Sequence, residues 1–480
     1  PEKEIIYFDN GDAIAGSLLS IRCAEDLRLA SPVVSVFNEL DCQFAVVGNH
    51  EFDFGLKYFE KVIEQSKFPW LAANIQKKNS QQPYFGSSHF IYETKGKNRI
   101  AFIGLTTPET AELVNADDTK SMKIVDPTDV LRKALEAVKQ EGADLIVVCY
   151  QGGYDKGLNY WQNSSNEEDL ESTITEQFPE IDLFVTGHTH GRIANAHVNG
   201  VHTIQAGCNG MYIGKVDIHF RPTKDLFEHE CEYNITSKLL PMNNIPLNDK
   251  AMAVTSKATA STEEWLEEVI TKSLDSYIIK SSTDAFVKPN RLINLIHDVI
   301  RDYSKADITV AHYWDMSGWT KGAVTRRQLL NILPENYIHN IKICGADIKA
   351  ALERTAQFFV QAEDGRCLIS TKFYDYDLWA GLSYRIDISE EPGKRIKDLV
   401  YNGQPLDMEE RYLVAFFHFR TGGALGYDML SKYRPVWKSE KTIRDHLFAD
   451  LEHNPQLKTP IEYNWKITSG EDLVEEAFYE

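Results

Sequence analysis

Four short stretches set acids, amides or imidazoles beside glycine: Asp9-Asn10-Gly11-Asp12, Gly48-Asn49-His50-Glu51, Tyr150-Gln151-Gly152-Gly153 and Gly187-His188-Thr189-His190-Gly191. Carboxylate, carboxamide oxygen and imidazole together suit two hard-to-borderline divalent ions about 3.5–4 Å apart, which clamp a phosphate and generate hydroxide. Singly these signals are poor, because a Gly-Asp after a strand is ordinarily a turn and a His-x-His is often a strand-surface pair. Four in succession, each behind an apolar run, form a constellation.

Those runs must be the elements that position the loops. Strands are predicted at Ile5–Phe8, Phe44–Val47, Ile100–Gly104, Asp144–Cys149, Leu183–Val185 and His202–Gln205, alternating with amphipathic stretches as in an α/β layer protein. Strand ends in an open α/β sheet converge on one crevice. A helix is predicted from Asp126-Pro127, a capping residue and a first-turn proline, with Val130, Leu131, Ala134 and Val138 on one face, stopping near Gly142. Between Ser237 and Ser261 the pattern loosens into Pro-, Asn-, Ala- and Thr-rich sequence, and an acidic helix is expected over Glu263–Leu274. The expected division is therefore 1–236, a linker and helix over 237–275, and a separate α+β unit over 276–480.

The chain has 480 residues, 51 basic against 71 acidic, with a formal charge of −20 and no long Lys/Arg cluster, which disfavours nucleic-acid binding. Its 43% hydrophobic content is ordinary for a folded chain. Seven scattered cysteines with no C-x-x-C pair argue against a disulfide framework or a cysteine zinc knuckle. No membrane-length apolar stretch or signal peptide is visible, which leans towards the cytoplasm with export as the alternative. No protein partner can be inferred.

The ordered set GD, GNHE, GG, GHTH, with the longer string GNHEFDFG, resembles the calcineurin-like metallophosphoesterases in their 5′-nucleotidase branch. In the second half, Ala306-Asp307-Ile308, the segment from Gly345-Ala346-Asp347 to Glu353, and Phe419-Arg420-Thr421-Gly422-Gly423-Ala424-Leu425-Gly426-Tyr427 look like that branch's C-terminal nucleotide-binding domain. The resemblance implies a four-layer α/β/β/α sandwich followed by an α+β nucleotide-binding domain, with a hinge near Ser261–Leu274. It implies hydrolysis of nucleoside 5′-monophosphates and/or 2′,3′-cyclic nucleotides by a metal-bound hydroxide, with two divalent ions (Mn, Zn, Co or Mg).

Position by position, Asp12 matches the carboxylate bridging both metals, Asn49 the amide ligand, and His188 and His190 the imidazole ligands. His50 matches the uncoordinated histidine that donates to phosphoryl or leaving oxygen, and Asp53 the carboxylate that orients it. Gln151 stands where relatives carry histidine, and the family's opening Asp-x-His motif has no counterpart in this sequence. A member that binds nucleotide with little or no catalysis is the alternative. In the second domain Phe419 matches a base-stacking ring, Arg420 an arginine of relatives acting on cyclic nucleotides, and Asn340 the asparagine of the same region. The neighbouring aromatic position falls on Tyr337 or Ile338. Trp379 is a further candidate, with a core aromatic as its plainer reading. Leu425 and the Ala311–Gly318 stretch depart from the family pattern.

Overall fold

The computed structural model describes residues 3–108, 110–113, 120–153, 170–221, 232–281, 283–312, 318–332, 336–369, 376–423, 426–453 and 459–479. The chain divides into two compact units, Pro1–Glu263 and Glu264–Glu480. Among the described residues no helix is long and apolar enough to cross a membrane.

In the first unit, β1 (Phe8–Asp9), β2 (Phe44–Val46) and β3 (Trp70–Leu71) form a parallel three-stranded sheet. A six-stranded sheet contains β4 (His89–Glu93), β5 (Arg99–Thr106), β6 (Leu145–Gln151), β7 (Leu183–Thr186), β8 (Arg192–Val198) and β9 (Val201–Ala206), in the order β8-β9-β7-β6-β5-β4. Strand alternation sorts the apolar residues into three layers of core. Phe44, Val46 and Leu71 of the small sheet meet Phe102, Leu145, Val147 and Cys149 of the large one. Phe8 stacks on Phe44 at 4.6 Å, and Phe44 meets Phe102 at 4.9 Å. The opposite faces go to helices. Ala45 and Val47 pack with Val34 and Phe37 of α1 (Pro32–Glu39) and Phe59 and Val62 of α2 (Leu56–Gln65). Ile146, Val148 and Tyr150 pack with Leu131, Leu135 and Val138 of α3 (Pro127–Gln140). The architecture is thus α/β/β/α. Helix α3 starts where its sequence places it, with the Asp126 carboxylate accepting from the Thr128 N–H at 2.7 Å. The first strand is shorter and later than Ile5–Phe8, beginning at Phe8.

Around the division the structure differs from the expected linker. Ser237 lies inside a strand, Glu232–Pro241, paired with Tyr212–Arg221, and a helix runs over Asp249–Leu266. Val269–Ser273 is a strand paired with Gly322–Thr325 rather than the end of an acidic helix. β-branched Val269, Ile270 and Thr271 favour the extended backbone there.

The second unit is α+β. Its central sheet contains β10 (Ile308–His312), β11 (Ile338–Cys344), β12 (Asp377–Ala380), β13 (Arg411–Phe417) and β14 (Trp437–Lys438), in the order β12-β10-β13-β11-β14. Helix α4 (Arg291–Ser304) packs on it through Leu292, Leu295, Ile296, Val299 and Ile300, and α5 (Gly345–Ala356) contributes Ile348 and Leu352 to the same core.

Candidate functional site

β1, β2, β6 and β7 each lead directly into one of the four loops found in the sequence. Hydrogen bonds then tie loop to loop. Asn10 Nδ2 donates to the Tyr150 carbonyl at 3.2 Å, and Gly187 N to the Gly152 carbonyl at 3.2 Å. His50 N donates to Asp12 Oδ1 at 2.9 Å, and Gln151 Nε2 donates to Asp12 Oδ2. Asp12 is therefore the point where the loops of both sheets meet.

Glycine is required where these groups crowd. A Cβ on Gly48 would run into Asp12 Oδ1, and one on Gly187 into Gln151 Oε1. Asp12, His188 and His190 hold φ of 61°, 63° and 59°, a left-handed conformation rare for side-chain-bearing residues and concentrated at functional loops.

Glu51 is a residue to which the sequence reading gave no role. Wholly buried, its Oε2 accepts from the N–H groups of Asp12 (2.9 Å) and Gly48 (2.6 Å), and its Oε1 from Ala13 (2.7 Å). It clasps the first two loops together. Only its place in the GNHE string could have signalled this.

His50 and Asp53 form the expected dyad. Nδ1 lies 3.0 Å from both Asp53 carboxylate oxygens, with the imidazole about half exposed at 48%. Packing around the ring works against the charged form, but the Asp53 hydrogen bond and the nearby Asp12 charge prevail and push its pKa up to about 10. Burial, reinforced by Asp12, raises Asp9 to about 7 and moves Glu51 in the same direction.

Two buried amide oxygens, Asn49 Oδ1 and Asn10 Oδ1, have no hydrogen-bond partner among the described residues. An orphaned buried acceptor calls for a cation or a water, and carboxamide oxygens on the loops that Asp12 joins have the chemistry to ligate a hard divalent ion. The imidazoles are less tightly gathered. His188 is half-buried and His190 exposed, and among the described residues no three His, Cys, Asp or Glu side chains converge as one ion would require. Gln205 braces their loop, exchanging hydrogen bonds with Thr189 and donating to the Gly187 carbonyl.

In the second unit Phe419 is half-buried just past β13, with His312 stacked on it at 5.1 Å and 20°. Of the two candidates for the aromatic position, Tyr337 is 44% exposed, whereas Ile338 is fully buried in β11. Tyr337 and Phe419 both meet His418 edge-on, at 6.1 and 5.9 Å. Arg420 is not presented outward. It is 0% exposed and its Nε and Nη2 grip Asp377 at 3.0–3.1 Å. Asn340 is buried as well and donates to the Ser304 carbonyl at 2.7 Å, tying β11 to the end of α4. Trp379 is 1% exposed, edge-on to Phe416 at 5.4 Å, in keeping with a core aromatic. Tyr313, Trp314, Asp315 and Leu425 lie outside the described residues.

A four-layer α/β/β/α unit whose strand ends gather carboxylate, carboxamide and a carboxylate-backed histidine is the arrangement of a metallophosphoesterase. Comparison with known families agrees: residues 1–192 match the calcineurin-like phosphoesterases, and residues 269–432 match the 5′-nucleotidase C-terminal domain. The chain belongs to the calcineurin-like phosphoesterases, in the form that carries a 5′-nucleotidase C-terminal domain, and enzymes of this family use divalent metal ions. It is 24% identical over 550 residues to a 2′,3′-cyclic-nucleotide 2′-phosphodiesterase/3′-nucleotidase of Yersinia enterocolitica, covering 97% of this chain and 81% of that protein. It is 22% identical to the trifunctional nucleotide phosphoesterase protein YfkN of Bacillus subtilis (strain 168), where 98% of this chain spans only 36% of the relative's length. Among solved structures it resembles a Staphylococcus aureus protein described as a candidate 5′-nucleotidase, in complex with alpha-ketoglutarate (25% identity, TM-score 0.81, 97% of this chain and 91% of the other).

Proposed function

We propose that the chain hydrolyses phosphate esters of nucleosides, namely 2′,3′-cyclic nucleotides and/or nucleoside 5′-monophosphates. The observation that carries this reading is the His50–Asp53 dyad, whose backbone is pinned to Asp12 by the His50 N–H. Asp12 and Asn49, with Asn10 nearby, would hold a divalent ion, and His188, His190 and Gln151 are the proposed ligands of the adjoining loops. Such an ion, when bound, supplies Lewis-acid charge at the phosphoryl group and makes water a better nucleophile.

The chain's own residues do the rest. Asp53 accepts from Nδ1–H of His50, leaving Nε2 as the nitrogen that gives a proton to a phosphoryl or leaving oxygen. The Asp53 hydrogen bond favours the protonated imidazole that such a transfer needs. Glu51 holds the backbone of Asp12 and Gly48 so that the acidic and histidine loops keep their spacing. Phe419, with Tyr337 as the second ring, offers flat π faces to a base, a mode of binding that tolerates different bases.

His50→Ala tests the reading. Turnover of AMP and of 2′,3′-cyclic AMP in Mn²⁺ should fall about 10²- to 10⁴-fold, the range for a positioned acid or base, with adenosine binding retained. Unchanged turnover would refute the assignment. One observation favours a second reading: the Gln151 amide donates to Asp12 Oδ2, occupying an oxygen that a ligand set would use. On that reading the chain binds nucleotide with little or no catalysis.

A further inference from the structure

Beneath Phe419 lies a polar cluster that the mechanism above does not use. His312 closes β10 and Asp377 opens β12, and the two are directly opposite in the antiparallel register. Their side chains meet, His312 Nδ1 to Asp377 Oδ1 at 2.9 Å, with both residues 0% exposed. Asp377 is held in turn by Arg420, and Arg420 lies over the Tyr427 ring at 4.2 Å. The Tyr427 hydroxyl is fixed by Thr355 at 2.9 Å. The chain of contacts therefore runs from helix α5, through a buried ion pair, to an imidazole that supports one face of Phe419 and also touches Phe417 at 5.2 Å.

A buried ion pair is weak evidence for stability, since desolvation offsets much of its Coulombic attraction and apolar replacements are often as stable. What such a cluster fixes well is orientation. Here the group that it orients is the ring on which a base would stack. Burial by itself would raise the Asp377 carboxyl and lower the His312 imidazole. The Arg420 guanidinium holds the Asp377 carboxyl below its usual range, and burial holds the His312 imidazole below its own, which favours a bond of neutral imidazole to carboxylate. The charged groups that act on His312 are Asp377 and Arg420.

We propose that Asp377 and Arg420 are positioning residues for nucleobase binding, acting through His312, which sets the ring of Phe419. The proposal rests on the reading of Phe419 as the base-stacking ring. It gives Arg420 an indirect role in place of direct contact with substrate.

The test uses the full chain with adenosine as titrant in calorimetry, and bis(4-nitrophenyl) phosphate, which has no nucleobase, as the kinetic control. Asp377→Asn and His312→Ala should each weaken adenosine binding about tenfold, within the range that one base–aromatic stack supplies, and leave hydrolysis of the control substrate unchanged. Asp377→Asn leaves the Arg420 charge buried without its partner, so it can fail to fold. His312→Phe keeps a ring beneath Phe419 and removes the Nδ1 contacts to Asp377 and the Tyr376 carbonyl, and it should weaken adenosine binding several-fold. Wild-type binding in His312→Phe and His312→Ala, with Phe419→Ala impaired, would overturn the proposal and leave base stacking standing. Wild-type binding in Phe419→Ala would instead remove the stacking reading and the proposal with it. A parallel loss of control-substrate hydrolysis would mean a general structural role and would also overturn it.

Discussion

Replacing Glu51 by glutamine changes one atom and should disturb two loops at once. The carboxylate accepts three backbone N–H groups, two on Oε2 and one on Oε1, all in a buried site. Glutamine has a single acceptor oxygen. Placed at the Oε2 position it keeps the Asp12 and Gly48 bonds but turns an NH₂ towards the Ala13 N–H. Placed the other way it loses two bonds to keep one. The milder arrangement leaves a buried donor unsatisfied, which costs about 1–3 kcal/mol. For a unit of this size each kcal/mol moves the melting temperature by about 2–4 °C, so the first unit should melt roughly 2–12 °C lower. Differential scanning calorimetry of the full chain gives the shift, and turnover should fall alongside it because the loop carrying Asp12 loses its Ala13 N–H bond to residue 51. A Glu51→Gln chain with wild-type melting and wild-type turnover would refute the clasp.

The second unit should be acid-labile through His297. Burial, aided by Arg301, lowers this imidazole to about 3, and its Nδ1 lies 2.8 Å from Thr309 Oγ1. The unfolded chain takes up a proton near pH 6.5 and the folded one only near 3, so stability falls as pH drops through that window. His297→Gln should flatten the decline, as read by denaturant titrations at pH 7 and pH 4.5. Gly187→Ala should lower turnover about tenfold or more, because its Cβ would displace the Gln151 carboxamide from beside Asp12; turnover within twofold of wild type would contradict that packing. Phe419→Ala should raise the KM for AMP about 5- to 100-fold, the range of one base–aromatic stack, with kcat preserved.

Much of this organisation was legible because strong local signals coincide with the site. Asp126-Pro127 caps α3 as such a pair should, and the glycine-flanked loops follow the ends of β1, β2, β6 and β7. What escaped the sequence depends on long-range contacts. The Ala- and Thr-rich run before Ser261 resembles a linker, yet alanine is the best helix former, and Asp249–Leu266 is helical. Asn340 and Arg420 lie near the expected nucleotide-binding loops, but sheet register aims Asn340 at Ser304, and the Asp377 carboxylate draws Arg420 inward. Neither partner is close in sequence. The same holds for Glu51, whose acceptors' partners include Asp12 and Ala13 on a different loop.

The central claim is metal-assisted hydrolysis at the Asp12–Asn49–His50 site. The most direct measurement strips the chain of metal and follows hydrolysis of AMP, 2′,3′-cyclic AMP and bis(4-nitrophenyl) phosphate on adding Mn²⁺, Zn²⁺, Co²⁺ or Mg²⁺, with Gln151→His and Asp12→Asn in parallel. Turnover that requires added ion, rises in Gln151→His and disappears in Asp12→Asn is the expected result. Absence of turnover with every ion in both the wild-type chain and Gln151→His, with adenosine still bound, would contradict the claim and leave a nucleotide-binding protein.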